Sequence, residues 1–127
     1  MQFNVHFSEK NDNIVKCVVV PTRDPNCTLE LEEVYFQMYG EEPCRDKYIK
    51  DFYVGTAIRN EEDDINIELA ERIARKKAYR AAYKAYRYYN YELLRLIRAK
   101  LIEIECAIGK LTNQANHLTR EIKEIAR

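Results

Sequence analysis

Apolar residues alternate with polar ones at the start of the chain and change, past residue 65, to a spacing of three and four. Phe3, Val5 and Phe7 alternate with Asn4 and His6, the two-residue period of a half-buried strand. Lys10-Asn11-Asp12-Asn13 is a turn signal and Ile14 to Val20 is a second apolar run, so a hairpin is expected. Pro21 to Asn26 should leave the sheet, because proline has no N–H for a ladder. Leu29 to Leu31 and Val34 to Tyr39 read as a third strand, with Glu30, Glu32 and Glu33 leaving a short helix as the alternative. Lys50 to Ile58 is the clearest later strand.

The second half reads as helix. Asp63 or Asp64 is suited to cap a helix starting near Ile65. Ile67, Ala70, Ile73, Ala74, Ala78, Ala81, Ala82 and Ala85 then give it a face of mostly small residues. From Leu94 through Ile97, Leu101, Ile104, Ile108, Leu111, Ala115, Leu118 and Ile122 to Ile125 the steps alternate three and four, which is a heptad seam. The change from alanine face to leucine seam predicts a turn near Tyr88-Tyr89-Asn90-Tyr91 and two long antiparallel helices. An unbroken helix of more than sixty residues is the alternative, and average helix length argues against it. The expectation is an α+β fold of one domain, 1–127: a small antiparallel sheet over 1–60, then a helical region over 64–127. So long a seam calls for a partner helix, most simply from a second copy, with Leu101, Ile104, Ile108 and Leu111 at a homo-oligomer interface. A helical hairpin burying the seam internally is the other solution.

Composition narrows the function. The 21 bases and 21 acids balance, so affinity for anions must come from local clustering. Lys and Arg do cluster: Arg72, Arg75, Lys76, Lys77, Arg80, Lys84 and Arg87 follow one another with no acid between them, interleaved with Tyr79, Tyr83 and Tyr86. No apolar run approaches the roughly 20 residues of a membrane span, and Met1-Gln2-Phe3 lacks the features of a secretion signal, so a cytoplasmic place is expected. Cys17, Cys27, Cys44 and Cys106 lie too far apart for paired zinc spacing, and Cys17 is expected to be a buried apolar residue. The three glycines form no phosphate loop, and His6 and His117 have no companions for nucleophilic catalysis. Binding is therefore expected instead of turnover, with no cofactor and no metal.

Arg72, Lys76 and Arg80 recur every four residues, a row beside the tyrosines, and such a surface can pair with phosphates and stack a base. Lys76, Arg80 and Tyr83, joined by Arg23, Arg59 and Asn60 from loops at the strand ends, are the candidate ligand-binding residues. The same residues have a plainer role available, with Lys and Arg solvating a helix whose tyrosines complete the core. Bases interleaved with tyrosines also suit single-stranded nucleic acid, and a coiled-coil adaptor without a small ligand is a third reading.

The series Gly55-Thr56-Ala57, Arg59-Asn60, Asp63 or Asp64, Ala70, Ile73-Ala74, a basic residue and Ala78 resembles a motif of small phage proteins and of some small bacterial sheet-plus-helix proteins. With its sheet and helices, the chain most resembles the first-described Thoeris anti-defence family of phages. The resemblance implies a non-catalytic sponge, in an infected or lysogenic host, that holds cyclic ADP-ribose isomers intact in pockets between protomers. Some members of that family also bind cyclic oligonucleotides at separate sites. Where related small proteins carry a glycine before the alanine-rich helix, this chain has Ala70.

Overall fold

The computed structural model describes all 127 residues. Strands β1 (Gln2–Lys10), β2 (Ile14–Arg23) and β3 (Tyr53–Ile58) form an antiparallel sheet in the order β1-β2-β3. Helix α1 (Asn26–Tyr39) and a short 3-10 turn (Arg45–Lys47) lie between β2 and β3, and helix α2 (Ile67–Ile125) follows. The expected α+β architecture and its amino-terminal sheet are present. No helix is long and apolar enough to cross a membrane.

Alternation decides which face of the sheet is covered. Val15, Cys17 and Val19 of β2, with Tyr53, Gly55 and Ala57 of β3, turn inward and are buried. The opposite face is open, and Val54 and Ile58 remain 44% and 75% exposed. The inner face packs on the small strip Ala74, Ala78 and Ala82 of α2, all three fully buried. Gly55 makes that approach possible: a Cβ there would be driven into the carbonyl oxygen of Ala74 and the amide nitrogen of Ala78. Lys77, beside this contact, donates to the Thr56 carbonyl at 3.0 Å.

Four expectations are corrected. The segment Leu29 to Tyr39 is helix, not strand: Pro25 precedes it, Gly40 closes it in the left-handed region at φ 72°, and Thr28, Glu32 and Tyr39 reach α2 with helical spacing. Pro21 stays in β2, opposite Phe3, because past Val19 β2 is bonded to β1 alone and proline is tolerated in that edge position. The cap of α2 is Asn66, whose side chain accepts from Leu69 N at 3.0 Å, so Asp63 and Asp64 stay in the preceding loop.

The largest correction concerns the two antiparallel helices. α2 is one helix of 59 residues, about 90 Å long at 1.5 Å per residue, with no turn near Tyr88-Tyr91. Side chains grow at that point because the packing partner changes. The alanines face the sheet, whereas Tyr89, Leu93 and Ile97 are buried where α1 lies across the helix. Asn90 accepts a hydrogen bond from Thr28 at 2.8 Å, and Tyr39 donates to the Leu96 carbonyl at 2.7 Å.

Two glycines give opposite expectations. Gly55→Ala should destabilise the fold by about 2 kcal/mol or more, since neither neighbouring backbone can yield. Gly109 has nothing within 4 Å of a Cβ and sits inside α2, so Gly109→Ala should raise stability by about 0.5–1 kcal/mol. Chemical denaturation of the two variants measures both.

Candidate functional site

The hairpin and the loop after β3 meet at one end of the sheet, and Arg59 clamps them. Its Nε donates to Asp12 O at 3.1 Å, Nη1 to Asp63 O at 3.0 Å and Nη2 to Asn13 Oδ1 at 3.0 Å. Asn60 supplies the carbonyl that accepts from Asp63 N at 2.9 Å. Asp12, Asn13, Arg59 and Asp63 rim a cleft of about 420 Å³ floored by Val15, Ala57 and Ala70. All three guanidinium nitrogens already have protein acceptors, so Arg59 holds the junction together.

The residues from Gly55 to Ala78 form this same junction. Gly55 and Ala57 press on Ala74 and Ala78, while Arg59, Asn60 and Asp63 tie the connecting loop. This stretch specifies how a strand passes into a closely packed helix.

Arg23 is at the other end of the sheet, followed by Asp24, and Tyr83 is there too. A hollow of about 500 Å³ opens between Met1, Phe3, Thr22, Tyr79 and Tyr83. The Phe3 ring sits 5.0 Å from Tyr79 and 5.7 Å from Tyr83, centre to centre, which holds both tyrosines in place while leaving Tyr83 51% exposed. Lys76 and Arg80 stand three residues before Tyr79 and Tyr83, and Arg23 follows Thr22. Of the six candidate residues only Tyr83 lines this hollow; Lys76 and Arg80 are exposed on the same stretch of α2, Arg23 ends β2 next to Thr22, and Arg59 and Asn60 lie at the opposite end of the sheet.

The cations of α2 divide by role. Arg75 lies over the Phe7 ring at 5.8 Å and Lys77 is bonded to β3. Arg72, Lys76, Arg80, Lys84 and Arg87 are exposed, and the ion pairs of the chain lie elsewhere. With 100° between successive residues they share the side of α2 opposite the alanine strip. That leaves a convex ridge of free positive charge beside the hollow.

A polar network not foreseen from the sequence lies close by. Asp24 accepts from Arg45 and, at 2.8 Å, from Tyr86; Tyr89 donates to Glu32 at 2.6 Å, and Arg45 is 3.8 Å from Glu32. Burial acts to raise the Asp24 carboxyl, but the Arg45 and Tyr86 hydrogen bonds and the Arg45 charge outweigh it and hold the group below its ordinary range. Burial, then the hydrogen bond to Asp24 and its charge, push Tyr86 up to about 12. Burial and Glu32 likewise push Tyr89 upward. The network fastens the 3-10 turn and α1 to α2. No local signal marks it, since Asp24 and Tyr86 are 62 residues apart.

Cys17 is fully buried, as its place in β2 implies. No group of His, Cys, Asp and Glu is arranged to hold a metal ion. Past Lys100 every residue of α2 is exposed, including Leu101, Ile104, Ile108 and Leu111 of the seam.

Linkage sets a pH window for the network. Asp24, held low in the fold, contributes stability above its unfolded value near 3.9 that is lost as pH falls through the folded value. Tyr86, held high, contributes stability below its unfolded value near 10 that is lost between there and about 12. Denaturation midpoints followed against pH should fall at both ends, with Asp24→Asn flattening the acid limb and Tyr86→Phe the alkaline one. No protein-family model matches the chain, and no curated protein or solved structure does.

Proposed function

We propose that the protein is a non-catalytic, self-associating sponge that holds a small anionic nucleotide of the cyclic ADP-ribose type. The observation that supports it most is the free cation ridge of Lys76 and Arg80 beside the half-exposed Tyr83 ring and the hollow at Thr22. Tyr83 offers an open face for adenine, and Arg23, Lys76 and Arg80 offer charge for the diphosphate. Charge-assisted hydrogen bonds contribute about 1.5–3 kcal/mol each, so two or three of them with one stacked ring suffice for micromolar binding or better. The ligand class rests on the family resemblance, and sequestration by mass action needs slow release and abundance, without a transition-state site.

After incubation with a cyclic ADP-ribose isomer, filtration and heating should return the same molecule unaltered. Tyr83→Ala or Arg80→Glu should weaken retention by about tenfold or more, and Arg59→Gln should act through stability instead. Recovery of a cleaved product only would reject the sponge.

A second reading draws on the shape of the ridge. Arg72, Lys76, Arg80, Lys84 and Arg87 lie along a convex surface that runs on past the hollow, which also offers an extended polyanion a continuous track. If that reading is right, oligonucleotide affinity will drop steeply from 50 to 200 mM salt, as counterion release requires. Absence of binding at low salt removes it.

Self-association is the other half of the proposal, and the naked end of α2 supports it: Ile108 is 56% and Leu111 70% exposed on an unbroken apolar seam. Ile104→Asp with Ile108→Asp should give a folded monomer by analytical ultracentrifugation, with the sheet and α1 intact.

A further inference from the structure

We infer that two copies associate through residues 101–125 of α2 in antiparallel orientation, each helix taking up the track on its partner where α1 ends. The inference rests on the self-association proposed above and adds its direction and register.

One side of α2 is covered in succession. β3 lies on Ala74 and Ala78, then α1 on Tyr89, Leu93 and Ile97. The last α1 contacts are Tyr39 with the Leu96 carbonyl and with Lys100, whose Nζ lies 5.5 Å from the Tyr39 ring. Gly40 then turns the chain away. Beyond that level the same side of the helix continues as Leu101, Ile104, Ile108, Leu111, Ala115, Leu118, Ile122 and Ile125 with nothing on it. Eight consecutive seam positions, about three and a half heptads, are enough to sustain a coiled coil. They also make too large an apolar stripe to leave in water.

The position of α1 selects the direction. A parallel partner would run beside α2 from its own sheet and would meet α1 at the level of Ile97, where that side is already filled. An antiparallel partner avoids this, because its free end stops where α1 stops. The lengths match when Leu101 faces Ile125 of the second copy, Ile104 faces Ile122, Ile108 faces Leu118 and Leu111 faces Ala115. Two-fold symmetry repeats each pair, giving eight layers in which large residues meet at both ends and the small Ala115 lies next to the axis. Flanking positions bring Glu105 to Thr119, Ala107 to Glu121 and Gln114 to its own mate, so no like charges oppose. Each sheet then sits beyond the other copy's carboxy-terminal end, and both cation ridges stay open.

Spin labels at single introduced cysteines test this, in a chain whose exposed Cys27, Cys44 and Cys106 are replaced by serine. Gln114→Cys lies beside the axis and should report a distance below about 25 Å. Arg98→Cys should report about 45 Å, from thirty residues of helical rise between the two sites. An Arg98 distance also below about 25 Å means a parallel pair and overturns the orientation while leaving self-association standing. About 35 Å or about 55 Å means a shift of one heptad one way or the other and overturns the register. No dipolar distance at either site, with a monomeric mass, overturns the inference and the self-association beneath it.

Discussion

Everything in this molecule is arranged around the backbone contact between β3 and α2 at Gly55. The strand lies so close to the helix that neither a Cβ at residue 55 nor bulk at residues 74 and 78 has room. Interiors at this density do not deform to accept a methyl group, which explains why positions 74, 78 and 82 of the helix are alanine. The loop between the two elements is correspondingly tight: Arg59 reaches the β1–β2 turn and the Asp63 carbonyl, so hairpin, strand end and helix start are held as a unit.

Past the alanines α2 keeps a single apolar side but changes what covers it. Where the sheet ends, Tyr86, Tyr89, Leu93 and Ile97 take over, and α1 with its 3-10 turn fills the wider gap. Wider spacing admits polar atoms, and these are satisfied: Tyr86 and Tyr89 donate to Asp24 and Glu32, with Arg45 between the two carboxylates. Buried polar groups stabilise only when paired, and no buried side-chain polar atom lacks a partner. The tyrosines of this stretch thus belong in part to the core, and Tyr83 stands apart from Tyr86 and Tyr89 by its exposure.

The opposite side of the helix carries the charge. Packing assigns Arg75 to Phe7 and Lys77 to the Thr56 carbonyl, leaving Arg72, Lys76, Arg80, Lys84 and Arg87 without protein partners. A chain of zero net charge acquires in this way a local positive field next to an aromatic hollow. Arg59, chemically the same, is removed from that field by its three backbone and side-chain acceptors.

The hairpin, the later strand, the alanine face and the heptad seam follow from sequence alone, because periods of two and of three to four are local properties of a chain. The balance of charge was equally legible. Three features were not. Leu29 to Tyr39 has glutamates in a pattern that fits strand or helix, and only docking on α2 at Asn90 and Leu96 selected the helix. The change of residue size at Tyr88-Tyr91 reads as a turn in one dimension, whereas in three it marks the passage of one continuous helix from sheet to α1. Chemical type does not distinguish the cations and tyrosines of the chain, and the fold alone separates Arg59, bound to its own loops, from Lys76, Arg80 and Tyr83, which face solvent. Local periodicity states which side of an element is apolar; which neighbour covers it, and which polar groups find partners, depends on contacts between residues some sixty positions apart.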